Sequence, residues 1–159
     1  MAARMTTGGS RRKRAATAAK PSTSRHPPRP LPPRSARVRA AVSQAYDRVR
    51  ALCLSHPGVY EKEAWAAATF RVEGGKMFLM FADNHHEDGH LAVWLPAPAG
   101  LQSALIGDAP ATYFKPPYVG SSGWIGIELD QIRDEALEIH VREAWQLAAS
   151  KKKKARQRS

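Results

Sequence analysis

Residues 76–95 have the sequence KMFLMFADNHHEDGHLAVWL, in which two apolar runs flank a polar segment. Lys76–Ala82 and His90–Leu95 have the length and apolar character of strands, whereas Asp83–Gly89 is polar and ends in glycine. Strands that follow one another in sequence usually pair. We therefore expect the two runs to form an antiparallel pair joined by the polar loop.

The sheet is expected to continue on both sides of this pair. Towards the N-terminus, Gly74-Gly75 predicts a tight turn that follows a strand at Thr69–Glu73, and Glu61–Trp65 is a further short extended segment. Towards the C-terminus, Trp124–Leu129 follows the turn-rich segment 116–123 and is predicted to be the last strand.

Helices are predicted at both ends of the folded part. Apolar residues recur at three- and four-residue steps over Val38–Cys53, which predicts an amphipathic helix with Ser35 as its N-cap. A final helix, about Asp130–Ser150, has a wide apolar arc, and a short helix is predicted at Leu101–Ile106. This order predicts an α+β fold, with an antiparallel sheet covered by the N- and C-terminal helices.

The charge is divided unevenly along the 159 residues. The formal net charge is +11 and the pI about 10.3. Residues 1–34 hold nine basic residues and no acid, and residues 151–159 hold six basic residues and no acid. The remaining residues, 35–150, hold 10 basic and 14 acidic residues, so the basic pI comes from the two ends.

The two ends are predicted to be disordered basic tails around a domain at 35–150. Residues 1–34 hold six of the 12 prolines, no aromatic residue and few large apolar side chains, so they cannot bury enough area to fold. Their composition suits both an organelle transit peptide and a DNA-binding arm. The Ala, Arg and Pro bias is typical of a GC-rich bacterial genome and favours the arm.

Two features bound the compartment. No apolar run approaches the roughly 18 residues that a membrane-spanning helix needs, so we expect no membrane association. Cys53 is the only cysteine, which excludes an internal disulfide and a multi-cysteine zinc site. We expect a cytoplasmic protein, associated with the nucleoid if it binds DNA.

No set of residues predicts catalysis, and we expect no cofactor. The Asp83–His90 loop is rich in His and carboxylate residues but lacks the spacing of a known metal motif, so a solvated loop is the expected structure. Cys53 and His140 lie on apolar helix faces and are expected to be packed side chains. Ser121-Ser122 lies between glycines but does not form a nucleophile elbow.

Core packing is the expected role of the four tryptophans, Trp65, Trp94, Trp124 and Trp145. An alternative applies to part of this set. Trp94, Tyr118 and Trp124 are candidates for a cluster at a sheet edge, which would stack on a base or line a small-ligand pocket.

From about residue 45 to 150, the chain resembles the MmcQ/YjbR proteins. The matching segments are Leu54–Val59 with Glu61-Lys62, Trp65, Phe70, Gly75–Phe78, Phe114–Gly120, Gly123–Ile127, Leu129-Asp130 and the closing helix through Trp145. Ala66 and Ala68 stand where the family often has glycine and proline. The resemblance implies a frataxin-like (CyaY-like) α+β fold and DNA binding through a double-wing surface of loops and hairpins.

These observations together predict a DNA-binding protein that binds double-stranded DNA weakly, without sequence specificity and in a salt-sensitive manner. The predicted phosphate contacts are Arg11, Arg12, Lys13, Arg14, Lys62, Arg71, Lys76, Lys115, Lys151, Lys152, Lys153 and Lys154. The alternative is a domain that binds a small ligand or a partner, whose tails keep it soluble.

Overall fold

A computed structural model of the chain describes residues 33–74 and 76–157. The predicted basic arm, apart from residues 33 and 34, lies outside the described residues, as do Gly75 of the predicted turn and residues 158–159. The fold is α+β and contains a six-stranded antiparallel sheet, which confirms the predicted class.

The strands follow the predicted order along the chain. They are β1 (Val59–Ala64), β2 (Ala67–Val72), β3 (Lys76–Asp83), β4 (Leu91–Pro96), β5 (Tyr113–Phe114) and β6 (Trp124–Glu128). In the sheet their order is β1-β2-β3-β4-β6-β5. Residues 76–95, which supply β3 and nearly all of β4, therefore form the centre of the sheet, with Met80 opposite Trp94.

Two of the three α-helices in the described residues frame the sheet. Helix α1 (Ala36–Leu54) begins at the predicted N-cap, where the Ser35 hydroxyl accepts a hydrogen bond from the backbone N–H of Val38 at 3.3 Å. Helix α2 (Leu101–Asp108) is short. Helix α3 (Asp134–Gln157) begins four residues later than predicted and continues through residues 151–157, which we expected to be a disordered tail.

The main core lies between the sheet and helices α1 and α3. Val49 and Cys53 of α1 and Leu137 and Val141 of α3 are fully buried. They pack with sheet residues of alternating position, including Phe70, Leu79, Phe81, Val93, Leu95, Ile125 and Ile127. The opposite face of the sheet carries a separate, smaller cluster of Ala67, Met80, Ala82 and Trp94, and we call this the open face.

The structure contains one strand that the sequence analysis missed. Tyr113 and Phe114 pair with Ile127 and Gly126, which adds β5 beyond β6. A two-residue strand has no periodicity to detect, so pattern analysis could not find it.

Candidate aromatic pocket on the open face of the sheet

One row of residues crosses the open face. The register places Lys62 opposite Thr69, Thr69 opposite Met80, and Met80 opposite Trp94. Trp94 is in turn paired with Gly126 of β6, and Gly126 is paired with Phe114 of β5. Because paired residues point to the same face, the Met80 thioether and the Trp94 indole form a floor that the helices do not cover.

A cavity of about 580 Å³ lies above this floor. Most of its lining is aromatic or contains sulfur, and within the part of the chain that the structure describes no Lys, Arg, Asp or Glu takes part. The lining residues are Trp65, Met77, Met80, His85, His86, Trp94, Tyr118, Val119 and Trp124. We refer to this cavity as the aromatic pocket.

Three loops supply the rim of the aromatic pocket. Trp65 stands at the tip of the β1–β2 hairpin, His85 and His86 lie in the β3–β4 loop, and Tyr118 lies between β5 and β6. Trp65 is 66% exposed and Tyr118 is 80% exposed. A ligand that packs against these exposed rings would remove a large apolar area from water.

Each rim loop has a residue in the left-handed region of backbone conformation. The φ angles are 54° at Trp65, 56° at His86 and 63° at Tyr118. This region costs a residue with a side chain about 1–2 kcal/mol relative to the usual helical region. Residues in such conformations persist only where the surrounding fold holds them in place. They are found preferentially at functional sites.

Trp94, in the floor, carries an unpaired polar group. Its side chain is 2% exposed, and among the described residues its indole Nε1 is buried without a hydrogen-bond partner. Buried N–H groups in native proteins are nearly always paired. The imidazole of His85 meets the indole edge to face, with ring centroids 5.4 Å apart.

The two rim histidines form a chain of aromatic contacts. His85 lies against His86 with centroids 4.1 Å apart, and His86 lies against Tyr118 with centroids 5.7 Å apart. Burial lowers the pKa of His85, and the neighbouring His86 lowers it further. Asp88 acts in the opposite direction with the smallest of the three effects, so the net change in pKa favours the neutral imidazole.

Two of the acidic side chains in the segments around the aromatic pocket are paired, while Glu87 and Asp88 of the β3–β4 loop are exposed. Asp83 accepts hydrogen bonds from the guanidinium of Arg34, with an N···O distance of 2.6 Å. His90 pairs with Glu128, and its ring stacks on Phe114 with centroids 4.2 Å apart. The chemistry available in the cavity is therefore that of large flat rings, thioethers and N–H donors.

The structure brings together the predicted trio of Trp94, Tyr118 and Trp124, all of which line the aromatic pocket. The predicted location was wrong, because β4 and β6 are interior strands and the trio lies over the middle of the sheet. The core role expected for Trp65 was also wrong, since this residue is exposed at the rim. Sequence analysis missed Trp65, Met77, Met80, His85, His86 and Val119 as pocket residues.

The predicted cations of the folded part are divided between the two faces of the sheet and a loop. Lys62 and Arg71 occupy positions on the open face, and Lys62 is exposed. Lys76 pairs with Val72, a residue of the main core, so its position belongs to the helix-covered face. Lys115 is exposed in the loop after β5, and its side chain packs over Gly120. Arg11, Arg12, Lys13 and Arg14 lie outside the described residues, and Lys151, Lys152, Lys153 and Lys154 continue helix α3.

The other candidate residues are placed as packed or surface groups. Cys53 is fully buried, and burial raises the pKa of its thiol far above the ordinary value. His140 is 8% exposed, and its Nε2 lies 2.9 Å from the Tyr113 hydroxyl. Ser121 and Ser122 are exposed in a 3₁₀ turn. Within residues 33–74 and 76–157, no three His, Cys, Asp or Glu residues are placed to hold a metal ion.

None of the described helices is long and apolar enough to cross a membrane. A comparison with curated proteins finds no match. Among solved structures, the chain is similar to the crystal structure of a Deinococcus radiodurans protein with the DUF419 domain. The two are 18% identical, with a TM-score of 0.55 over 64% of this chain and 76% of the other. This similarity concerns the fold alone.

The family comparison covers most of the folded part. The YjbR family model matches residues 54–147, from the end of α1 to the last turns of the buried part of α3. The match spans more than half of the 159 residues and includes all six strands and every residue that lines the aromatic pocket. The chain therefore belongs to the YjbR family.

Proposed function

We propose that this protein is a binding protein, which takes a small and largely apolar molecule into the aromatic pocket. The observation that carries the proposal is the cavity of about 580 Å³ on the open face, with three indoles, a phenol and two thioethers in its lining. Ligand sites in proteins are typically concave, mostly apolar and of this size, with a few polar groups that orient the ligand.

The burial pattern supports this proposal. Trp94 and Met80 are almost completely buried in the floor, whereas Trp65 and Tyr118 stand exposed at the rim. A ligand that enters contacts a fixed floor and covers rim side chains that otherwise face water. Burial of apolar area contributes about 25 cal/mol per Å², so even part of these rings supplies useful binding free energy.

The proposal assigns binding rather than catalysis. The described residues of the lining include no carboxylate and no thiol, and their one hydroxyl is that of Tyr118, which is 80% exposed. A nucleophile needs a base within hydrogen-bond reach. Tyr118 and His86 lie with ring centroids 5.7 Å apart, but no hydrogen bond joins these two described side chains. We also propose a cytoplasmic location, which the single, unpaired cysteine supports.

A neutral fluorescent probe tests the proposal on the full chain. Nile red gains fluorescence in an apolar site, and we expect saturable binding with one site per chain. Val119→Trp would fill part of the aromatic pocket and should weaken this binding at least tenfold. Val38→Trp adds the same side chain at an exposed position of α1 and should leave binding unchanged. Equal binding by the two variants would refute the proposal.

Nucleic-acid binding is a second proposed function, carried by charge rather than by the aromatic pocket. The two ends of the sequence hold 15 of the 25 basic residues and no acid. Lys and Arg that contact phosphates release counterions, which gives affinity without sequence information. We propose weak, non-specific binding to double-stranded DNA, with Lys62 and Arg71 of the open face as further contacts.

Fluorescence anisotropy with a labelled duplex, across a salt series, tests this second function. Each phosphate contact that is lost should reduce the slope of log K against log salt by about 0.9. Glutamine at Lys151, Lys152, Lys153 and Lys154 should therefore reduce the slope by up to about 4. The single substitution Lys62→Gln should reduce it by about 1 or less. An unchanged slope in both variants would contradict the proposed role of these residues.

A further inference from the structure

We infer that the ligand of the aromatic pocket is a neutral, planar heteroaromatic molecule with a carbonyl oxygen, which accepts a hydrogen bond from the indole N–H of Trp94. This chemistry is that of a nucleobase or of a related fused ring. The inference rests on the proposed function, because it names the class of molecule that the same pocket binds.

The planar shape follows from the lining. Trp65, Trp94 and Trp124 come from three different parts of the sheet and its hairpins, and Tyr118 adds a fourth ring. Flat rings pack best against other flat rings, in offset or edge-to-face arrangements. The thioethers of Met77 and Met80 are polarisable and make favourable contacts with aromatic rings.

The neutral charge follows from what the lining lacks. Among the described residues of the lining, no Lys or Arg is present to receive an anionic ligand, and no Asp or Glu is present to receive a cationic one. Of the acids in the neighbouring segments, Asp83 pairs with Arg34 and Glu128 pairs with His90, while Glu87 and Asp88 are exposed in the β3–β4 loop and do not belong to the described lining. Placing an unpaired charge in such a site is costly, so a neutral molecule fits best.

The carbonyl oxygen follows from Trp94. Its Nε1 is a donor that has no partner among the described residues, and the side chain is 2% exposed at the floor. A ligand acceptor would satisfy this donor. Because Nε1 is buried in the unliganded protein, side chains around the indole must shift to admit the oxygen, and the imidazole of His85 is one that packs against this ring. A hydrocarbon ligand has no acceptor atom, so it would leave the indole N–H of Trp94 unpaired.

Two probes of matched shape separate the hydrogen bond from apolar packing. 1-Methylquinolin-2-one has a carbonyl oxygen, and 1,2-dimethylnaphthalene has a methyl group in its place. We compare the ratio of their dissociation constants in the full-length wild type and in Trp94→Phe, which keeps an aromatic ring but removes the N–H. Trp145→Phe is the matched control, because Trp145 lies outside the aromatic pocket and donates to the carbonyl of Pro57 at 3.2 Å.

We expect the preference for the carbonyl probe to fall about fivefold in Trp94→Phe, as the loss of one hydrogen bond implies. The preference should be unchanged in Trp145→Phe. If both probes bind but Trp94→Phe does not change their ratio, the inference is wrong and the proposed function stands. If neither probe nor Nile red binds, the proposed function itself fails. Tighter binding of phenyltrimethylammonium than of the neutral probes would overturn the assignment of charge.

A nucleobase can reach the aromatic pocket from two sources, as a free nucleoside or as part of a single-stranded nucleic acid. Thymidine and the single strand dT10 separate them. If thymidine and dT10 bind with equal affinity per site, and Trp94→Phe weakens the binding of both, the free nucleoside is the ligand. Binding of dT10 alone, with the same sensitivity, indicates a base presented by a strand whose phosphates meet the basic residues. Binding of thymidine that is insensitive to Trp94→Phe contradicts the inference. For dT10 the comparison is made at high salt, where binding of its phosphates to the basic residues is weakened, and insensitivity to Trp94→Phe under that condition contradicts the inference as well.

Discussion

Gly126 offers a test of the packing that builds the open face. It lies in β6 between Trp94 and Phe114, and a methyl group added there would meet three ring carbons of Phe114 at 2.3–2.6 Å. Ordinary carbon–carbon contacts lie at about 3.5–4.0 Å, so the Phe114 ring must move by about 1 Å. It cannot move freely, because it stacks on His90 and packs against the Met80–Trp94 cluster.

The size of the effect follows from two opposing contributions. Overpacking in a filled site costs about 1–3 kcal/mol, and replacing glycine with alanine in a strand stabilises by about 0.5–1 kcal/mol. Gly126→Ala should therefore lower the free energy of unfolding by about 1–2 kcal/mol, which lowers Tm by roughly 4–8 °C for a domain of this size. Urea denaturation and calorimetry on the full chain measure both quantities.

Gly107→Ala is the matched control for this substitution. Gly107 lies within α2, and a methyl group there meets nothing within 4 Å, so the same change should be neutral or stabilising by up to about 1 kcal/mol. In a double-mutant cycle, Gly126→Ala should lower the free energy of unfolding by at least about 0.5 kcal/mol less in the Phe114→Ala background than in the wild type. Equal stabilities of the two alanine variants, or a cycle with no coupling, would refute the packing described here.

Three further predictions concern other parts of the fold. Burial lowers the pKa of His140, so the unfolded state binds a proton more readily. The free energy of unfolding should therefore fall as pH drops below about 6.5, and less steeply in His140→Gln; equal pH profiles would contradict this. Tyr118→Gly should relieve strain and raise stability by about 0.5–1 kcal/mol while weakening Nile red binding, so a loss of stability in denaturation experiments would count against it. Cys53 should react with a thiol reagent only when urea unfolds the domain, and rapid labelling of the native protein would show that it is accessible.

The sequence predicts the elements that have a long period or a clear boundary signal. The apolar repeat from Val38 to Cys53 gives helix α1, and Ser35 marks its start. The two apolar runs around the Asp83–Gly89 loop give the central strand pair. In each case the local pattern and the tertiary structure favour the same conformation, which makes the prediction reliable.

The aromatic pocket is only partly predictable, because its parts meet through strand order and unusual backbone conformations. Trp65-Ala66 forms a two-residue hairpin turn with φ angles of 54° and 57°, which normally calls for Asn-Gly. Without that signal, Trp65 resembles a buried strand residue rather than a rim residue. His85 and His86 lie in a loop with left-handed residues at Asn84, His86 and Glu87, and no periodicity predicts that this loop returns over Trp94.

The four indole N–H groups allow a direct test of the claim that the aromatic pocket is the binding site. In a two-dimensional ¹⁵N–¹H NMR spectrum of the full chain, each tryptophan gives one indole signal, and single Trp→Phe variants assign them. On titration with 1-methylquinolin-2-one, the account predicts the largest shift at Trp94, smaller shifts at Trp65 and Trp124, and no shift at Trp145, which lies outside the aromatic pocket. Shifts at Trp145 as large as those at Trp94, or no shift at Trp94 at saturation, would contradict it.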